Sequence, residues 1–369
     1  MWMLKRLGGK LGHGLRILVE LAKGFVSSDV YYITDRSGWV VDAEAYNICN
    51  AVKECSSFHP RTVSEYDSLR RQILHFGYLY LFSNGGYARV HQSNKVAVTF
   101  YHGDRSDPGF RSTIDVFLRE ICRVDKVVVP CLIMRNRLME WGVPEEKVAL
   151  IPIGVDLSVF SPRDAAQRTT VRKELGIPDG RFVIGSFQKD GVGWEEGLAP
   201  KWIKGPDTFL KVLELLSPSF PVTVLLTGPA RGYMKQGLER LRLPYKHVHF
   251  KTPEEVAQCY HALDLYLVTS REEGGPKAVM ESMASGVPLV STRVGMAADL
   301  IRDGENGFVC EIEDIASLAA RAHEVLSDAA LGRRFATAGL VTATKYDYAV
   351  IGRRHVDAVY APLLAELKR

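Results

Sequence analysis

The sequence has no run of 18 apolar residues, no low-complexity tract and no C-x-x-C pair. Without such a run, no spanning helix is expected, and the composition is that of a soluble globular protein. The six cysteines, at positions 49, 55, 122, 131, 259 and 310, form no metal-ligand spacing. They read as scattered core thiols in a reducing compartment rather than as a disulfide framework. No secretory signal with a cleavage site is visible, which makes the cytoplasm the expected location. The body of the chain also has no excess of either charge. The net charge of +4 arises within residues 1–27, where Lys5, Arg6, Lys10, Arg16 and Lys23 face only Glu20. The remainder is balanced, so no general nucleic-acid surface is expected.

Residues 1–27 form a basic amphipathic segment. Leu4, Leu7, Leu11, Leu15, Leu18, Ala22 and Phe25 recur at helical spacing, and Trp2 and Met3 add apolar bulk. Such a helix can lie in the headgroup region of an anionic membrane, with peripheral association on the inner face as the result. Gly8, Gly9, Gly12 and Gly14 weaken it, so a helix docked on the protein's own body or a frayed tail is the competing reading. No strand precedes these glycines and no Gly-Lys-Ser/Thr ends them, which excludes a phosphate-binding loop here.

At 369 residues the chain can build two domains, each with its own core. Strands are predicted at Asp29–Thr34, Ile73–Phe82, Lys95–Phe100, Lys126–Val129 and Val148–Ile151. Helices are predicted over Trp39–Glu54, Ile114–Arg123 and Ile133–Trp141, and residues 56–70 read as a loop followed by a helix. The second half repeats the alternation, with strands at Phe182–Ser186, Val222–Leu226 and Val248–Phe250 and helices at Asp207–Leu216 and Ile315–Leu326. Alternating strands and helices indicate parallel, doubly wound sheets, which bind ligands at the carboxyl ends of their strands.

One stretch organises the rest. Leu263–Thr269 is a short apolar run that reads as a buried strand, and Gly274, Gly275 and Pro276 follow in a loop. Lys277 to Ser285 then reads as a short helix ended by Gly286, before a further strand at Leu289. Strand, glycine loop and helix N-terminus together favour an anion, because unpaired N–H groups and the positive dipole end point at the ligand. Glu273 and Glu281 lie eight residues apart in this stretch.

This order of parts resembles the E-x7-E signature of the family 4 (group 1) retaining glycosyltransferases. The resemblance is clearest over residues 148–330 and weaker over 95–147. It implies the GT-B fold, an α/β architecture of two Rossmann-like doubly wound parallel-sheet domains facing a cleft. Residues 28–155 would form the acceptor-side domain and 156–344 the donor-nucleotide domain, with 345–369 a helix crossing back. Carried over residue by residue, Glu273 holds hydroxyls of the donor sugar and Glu281 the ribose, with Gly274, Gly275, Pro276 and Lys277 lining the donor loop. His102, after the third strand of the first half, is the candidate beside the donor sugar and acceptor, with Asp104 as its neighbour. Lys204, in a Lys-Gly pair, corresponds to a cation on the donor diphosphate. Thr252 lies in the loop expected to read the base.

One departure stands out. The family places Arg after Gly185, where this chain has Ser186; Lys189 is the candidate replacement, and Lys201 another cation. The resemblance implies a nucleotide-sugar donor, a glycan, lipid-linked or other hydroxyl acceptor, retained anomeric configuration, and neither cofactor nor metal. The lack of a D-x-D motif in a suitable loop agrees with the last expectation. A glycosyl phosphorylase on the same fold, or a non-catalytic module in glycan assembly, remains open at this point.

Overall fold

A computed structural model describes residues 29–369, apart from 39, 163, 250 and 251. The basic segment expected over 1–27, and Phe250 and Lys251 of the base-reading loop, lie outside the described residues. Two parallel six-stranded sheets form the frame. The first runs β2-β1-β3-β4-β5-β6, built from β1 (Val30–Ile33), β2 (Arg61–Val63), β3 (Ile73–Phe76), β4 (Lys95–Thr99), β5 (Lys126–Val129) and β6 (Val148–Leu150). The second runs β12-β11-β10-β7-β8-β9, built from β7 (Phe182–Ser186), β8 (Val222–Thr227), β9 (Tyr245–Val248), β10 (Leu265–Val268), β11 (Leu289–Thr292) and β12 (Phe308–Cys310).

Helices cover both sheets, which is why their central strands are continuously apolar rather than alternating. All six residues of β8 are buried, as are all four of β3. Each Val or Leu so buried contributes about 1.5–3 kcal/mol. The first half carries α1 (Val40–Cys55), α2 (Leu79–Ser83), α3 (Pro108–Arg119) and α4 (Leu132–Glu140). The second carries α5 (Ala165–Glu174), α6 (Pro206–Leu216), α7 (Gly232–Arg240), α8 (Pro253–His261), α9 (Lys277–Ala284), α10 (Ala297–Leu300), α11 (Ile315–Ser327) and α12 (Ala329–Ala343). Starts are written locally. Asp107 accepts from Gly109 N–H with Pro108 at the first position of α3, and Asp164–Gln167 and Thr252–Glu255 form capping boxes.

The chain then returns to the first sheet through α13 (Tyr348–His355), a π-helical turn and α14 (Ala361–Lys368). Gly352 lies against Ala51 of α1, where an added Cβ would come within 2.7 Å of the alanine methyl. Tyr360 hydroxyl meets His75 Nδ1 at 2.8 Å, and Lys95 pairs with Glu366 at 2.5 Å. Among the described residues no helix is long and apolar enough to cross a membrane.

Three expectations need correction. The apolar run Ile73–Phe82 is a strand only to Phe76. Gly77 packs under Tyr32 and Ile33, and Leu79–Ser83 then turns helical. A short apolar run does not distinguish buried strand from buried helix. Residues 56–70 contain no α-helix; Arg61–Val63 is an edge strand, paired with Tyr31–Ile33, too short to show a period. The strand expected at Val248–Phe250 lies earlier, at Tyr245–Val248, where the half-buried edge residues pair with Val224–Thr227.

Candidate active site

Strands β4, β7 and β10 end towards the same cleft, and the loops after them carry His102, Gln188 to Lys204, and Ser270 to Pro276. Glu273 is 7% exposed. Lys204 Nζ donates to its Oε1 at 2.5 Å, and Ser270 Oγ donates to the same oxygen at 3.0 Å. Gln188 ties the group together, donating to Lys204 O at 3.0 Å, with its Oε1 3.2 Å from Ser270 Oγ. Lys204 ends a single 3₁₀ turn, and Gly205 takes a left-handed φ of 60° so that the chain can enter α6. A Cβ at Gly205 would sit 1.8 Å from Thr269 O, so this close approach to β10 requires glycine.

His102, in the first domain, lies within the field of this pair. Its pKa is lowered by burial first and by the Lys204 charge second, against the opposing pull of Glu273. The ring is therefore neutral at pH 7. Its Nδ1 is buried, with no hydrogen-bond partner among the described residues. Lys201 enters the same field: burial, then Lys204, then Lys189 disfavour its charge, while Glu273 favours it. Like charges gathered in a partly buried cleft favour an anion between them.

Gly274 fixes how closely the halves approach. A Cβ there would lie 1.8 Å from Tyr101 O, the carbonyl just before His102. Gly275 is nearly as confined, by Ile153 and Met296. Pro276 precedes α9, whose N-terminus has no side-chain cap. Glu281, on α9, accepts a hydrogen bond from Tyr260 at 2.8 Å. Burial raises its pKa, with Lys277 and Tyr260 pulling the other way.

The chain matches the Glycosyl transferases group 1 family over residues 196–328 and the Glycosyltransferase Family 4 over residues 16–159. It belongs to the group 1, family 4 glycosyltransferases. It is similar to D-inositol 3-phosphate glycosyltransferase of Corynebacterium urealyticum, at 27% identity over 49% of this chain and 43% of that protein. N-acetyl-alpha-D-glucosaminyl L-malate synthase of Bacillus anthracis is 24% identical over 64% of this chain and 60% of its own length. The chain thus spans about two fifths to three fifths of these relatives. Among solved structures, Anabaena Alr3699/HepE with UDP and glucose superimposes with a TM-score of 0.70 at 17% identity, covering 90% of this chain and 99% of that one. Sucrose-phosphate synthase of Thermosynechococcus elongatus does so with a TM-score of 0.66 at 20% identity, covering 80% and 74%. The fold is GT-B.

Several residues singled out from the sequence of this group 1 chain are occupied elsewhere. Lys277 Nζ lies 3.0 Å from Glu44 Oε2 and 2.8 Å from Tyr348 hydroxyl, which itself donates to Glu44 at 2.6 Å. Its ammonium thus braces α9 against α1 and α13, leaving the backbone of Lys277 at the helix start. Thr252 Oγ1 caps α8 by accepting from Glu255 N–H. Lys189 stands over the Trp194 ring, 3.8 Å from its centroid.

Ser186, which stands where the resemblance expects arginine, is contacted by a buried cation from elsewhere in the chain. Arg231, 1% exposed, donates to Ser186 Oγ at 3.0 Å and to the carbonyls of Ser186 and Thr227 at 2.8 Å each. It pairs with the buried Asp190 at 2.9 Å. Ser186 leaves room for it; that unexplained serine was the available signal. The stretch 190–200 closes on itself through a Gly191–Pro200 bridge and covers the start of α7, where Gly232 and Tyr233 N–H donate to Glu196 and Gly197 carbonyls. Arg231 is consequently sealed beneath the insertion, facing Ser186 and Asp190 rather than the cleft. Among the described residues no three His, Cys, Asp or Glu side chains converge as metal ligands.

Proposed function

We propose that this protein transfers a sugar from a nucleoside diphosphate sugar to a hydroxyl acceptor, with retention of configuration and with lysines in place of a metal ion. The observation that carries this reading is the meeting of Lys204, Glu273 and His102 at the strand ends, where two domains face each other. Glu273 can accept hydrogen bonds from two hydroxyls of the sugar, and Lys204 exchanges part of its carboxylate contact for the diphosphate. Lys201 and Lys189 add positive charge where a leaving diphosphate gains negative charge, which is where fixed cations stabilise a transition state. Glu281 receives the ribose hydroxyls, and the uncapped start of α9 faces the phosphates.

In the reaction, the bond from the anomeric carbon to the phosphate oxygen breaks and a bond to the acceptor oxygen forms on the same face. The acceptor proton passes to the departing phosphate oxygen. The neutral His102 ring hydrogen-bonds the sugar or acceptor, and closure of the cleft excludes water. UDP and UDP-glucose in the HepE structures support a uridine donor. The names of the curated relatives support a polar, hydroxyl-bearing acceptor, and a glycan or lipid-linked acceptor fits the family's breadth. Residues 1–27 would bring the enzyme to an anionic membrane from the cytoplasm.

The test is release of UDP from UDP-glucose in the presence of a panel of hydroxyl acceptors, with and without EDTA, in the wild type and Lys204→Met, followed by NMR of the glycoside formed. The reading expects EDTA-resistant release, an α-linked product and a loss of about a hundredfold in the variant. An EDTA-sensitive reaction or a β-linked product would overturn the lysine and retention claims respectively.

A further inference from the structure

We propose that Arg137 is a positioning residue, which sets the His102-to-Glu273 distance by clamping Glu272 across the cleft. This rests on the transferase reading above. Arg137 lies on α4 of the first domain; Glu272 lies in the loop after β10 of the second. Both side chains are largely shielded, at 17% and 19% exposed. Arg137 Nη1 donates to Glu272 Oε1 at 2.7 Å, and Nη2 approaches Oε2 at 3.5 Å. The same Nη1 donates to Gly103 O at 2.8 Å, and Gly103 N–H donates to Glu272 Oε1 at 3.1 Å. Asp104 Oδ2 stands 3.2 Å from Arg137 Nε.

The geometry matters because of the neighbours. Gly103 follows His102 and Glu272 precedes Glu273, so each tied residue is one Cα step, about 3.8 Å, from a candidate site residue. Gly103 is itself held, with φ at 136° and the Phe110 ring 3.0 Å from where a Cβ would stand. The loop bearing His102 therefore cannot shift independently of the clamp. Glu272 directs its carboxylate wholly to the first domain, since both oxygens face Arg137 and Gly103. Charge-assisted, forked hydrogen bonds of this kind fix direction as well as distance. They exist only while the two halves are together. Opening the cleft breaks them and separates the neutral imidazole from the Lys204–Glu273 pair.

The nucleotide would bind the second domain, so losing the clamp should spare nucleotide affinity and damage turnover. The experiment uses the full chain, with UDP as the binding probe and UDP-glucose as the turnover probe. Arg137→Met is expected to keep the UDP Kd within about twofold of wild type while UDP release falls tenfold or more, because misplacement of about 1 Å can cost a hundredfold. Arg137→Lys should recover part of the rate. The swapped pair Arg137→Glu with Glu272→Arg should exceed either single variant. Turnover within twofold of wild type in Arg137→Met would overturn the proposal, as would a loss of UDP affinity matching the loss of rate. Wild type that neither binds UDP nor releases it from UDP-glucose would count against the uridine-donor reading instead. The clamp is then decided by small-angle scattering: Arg137→Met should show a larger radius of gyration than wild type, and equal radii would overturn it.

Discussion

Replacing Lys277 by Met separates two roles that its position in the donor loop leaves open. Its ammonium is 3.0 Å from Glu44 Oε2 and 2.8 Å from Tyr348 hydroxyl, and Glu44 is 4% exposed. Removing one partner of a shielded ion pair leaves the other charge uncompensated, at a cost of about 3–5 kcal/mol. Lys277 is itself 22% exposed, so the lower end, about 3 kcal/mol, is appropriate. At roughly 2 °C per kcal/mol, the melting midpoint should fall by about 6 °C. Glu44→Leu added to Lys277→Met should restore part of that loss, since neither charge then remains buried. The pH dependence follows from sign. Burial is the largest single effect and works against the Lys277 charge, but Glu44, Tyr348 and Glu281 together outweigh it and raise the pKa. A raised lysine contributes its stability throughout the range below the ordinary lysine pKa and loses it only as pH rises through the elevated value. The variant's deficit should therefore be equal at pH 6 and pH 8. Thermal scans measure stability, and titration calorimetry with UDP measures binding. An unchanged midpoint with a tenfold loss of UDP affinity would refute the brace and make Lys277 a donor ligand.

Glu281 has a dependence of the same sign, in a lower range of pH. Burial raises its pKa, so its protonated form stabilises the fold below the ordinary carboxylate range, and that contribution is lost as pH rises through the folded value. Glu281→Gln should raise the melting midpoint relative to wild type at pH 8 and change it little at pH 4; no difference between the two pH values would count against this. Gly274→Ala places a methyl 1.8 Å from Tyr101 O, so closure should fail, with UDP release down at least about tenfold and UDP affinity retained. Equal loss of both would argue for a collapsed donor loop. Arg231→Met strands the buried Asp190 and should destabilise by about 3–5 kcal/mol, read from urea midpoints, whereas Arg231→Met with Asp190→Leu should recover much of it.

The elements most legible in the sequence were those with a local cause. Runs such as Lys126–Val129 and Phe182–Ser186 are short, apolar and bounded by turn residues, and both fall where expected. The strand–loop–helix from Leu265 to Ala284 does too, and its Glu273 meets Lys204, a partner 69 residues away in the chain. What stayed hidden depends on long-range contacts. Nothing near Arg231 in the chain marks it as the cation beneath Ser186, because the loop that seals it begins shortly after β7 and folds over α7. Arg137 and Glu272 are 135 residues apart and have no spacing that pairs them. Lys277 reads as a donor ligand from its place in the signature, while its side chain turns to Glu44, 233 positions earlier. Edge strands β2 and β9 escaped for another reason: half-exposed and short, they are set by the neighbour they pair with.

The most direct test of the central claim is UDP binding by calorimetry to the wild type, Lys204→Met and Glu281→Gln, each with and without EDTA. Wild type should bind UDP saturably, with no change on adding EDTA, and each substitution should weaken binding at least about tenfold, the worth of one charge-assisted hydrogen bond. Binding that is abolished by EDTA, or that survives both substitutions intact, would contradict the central claim.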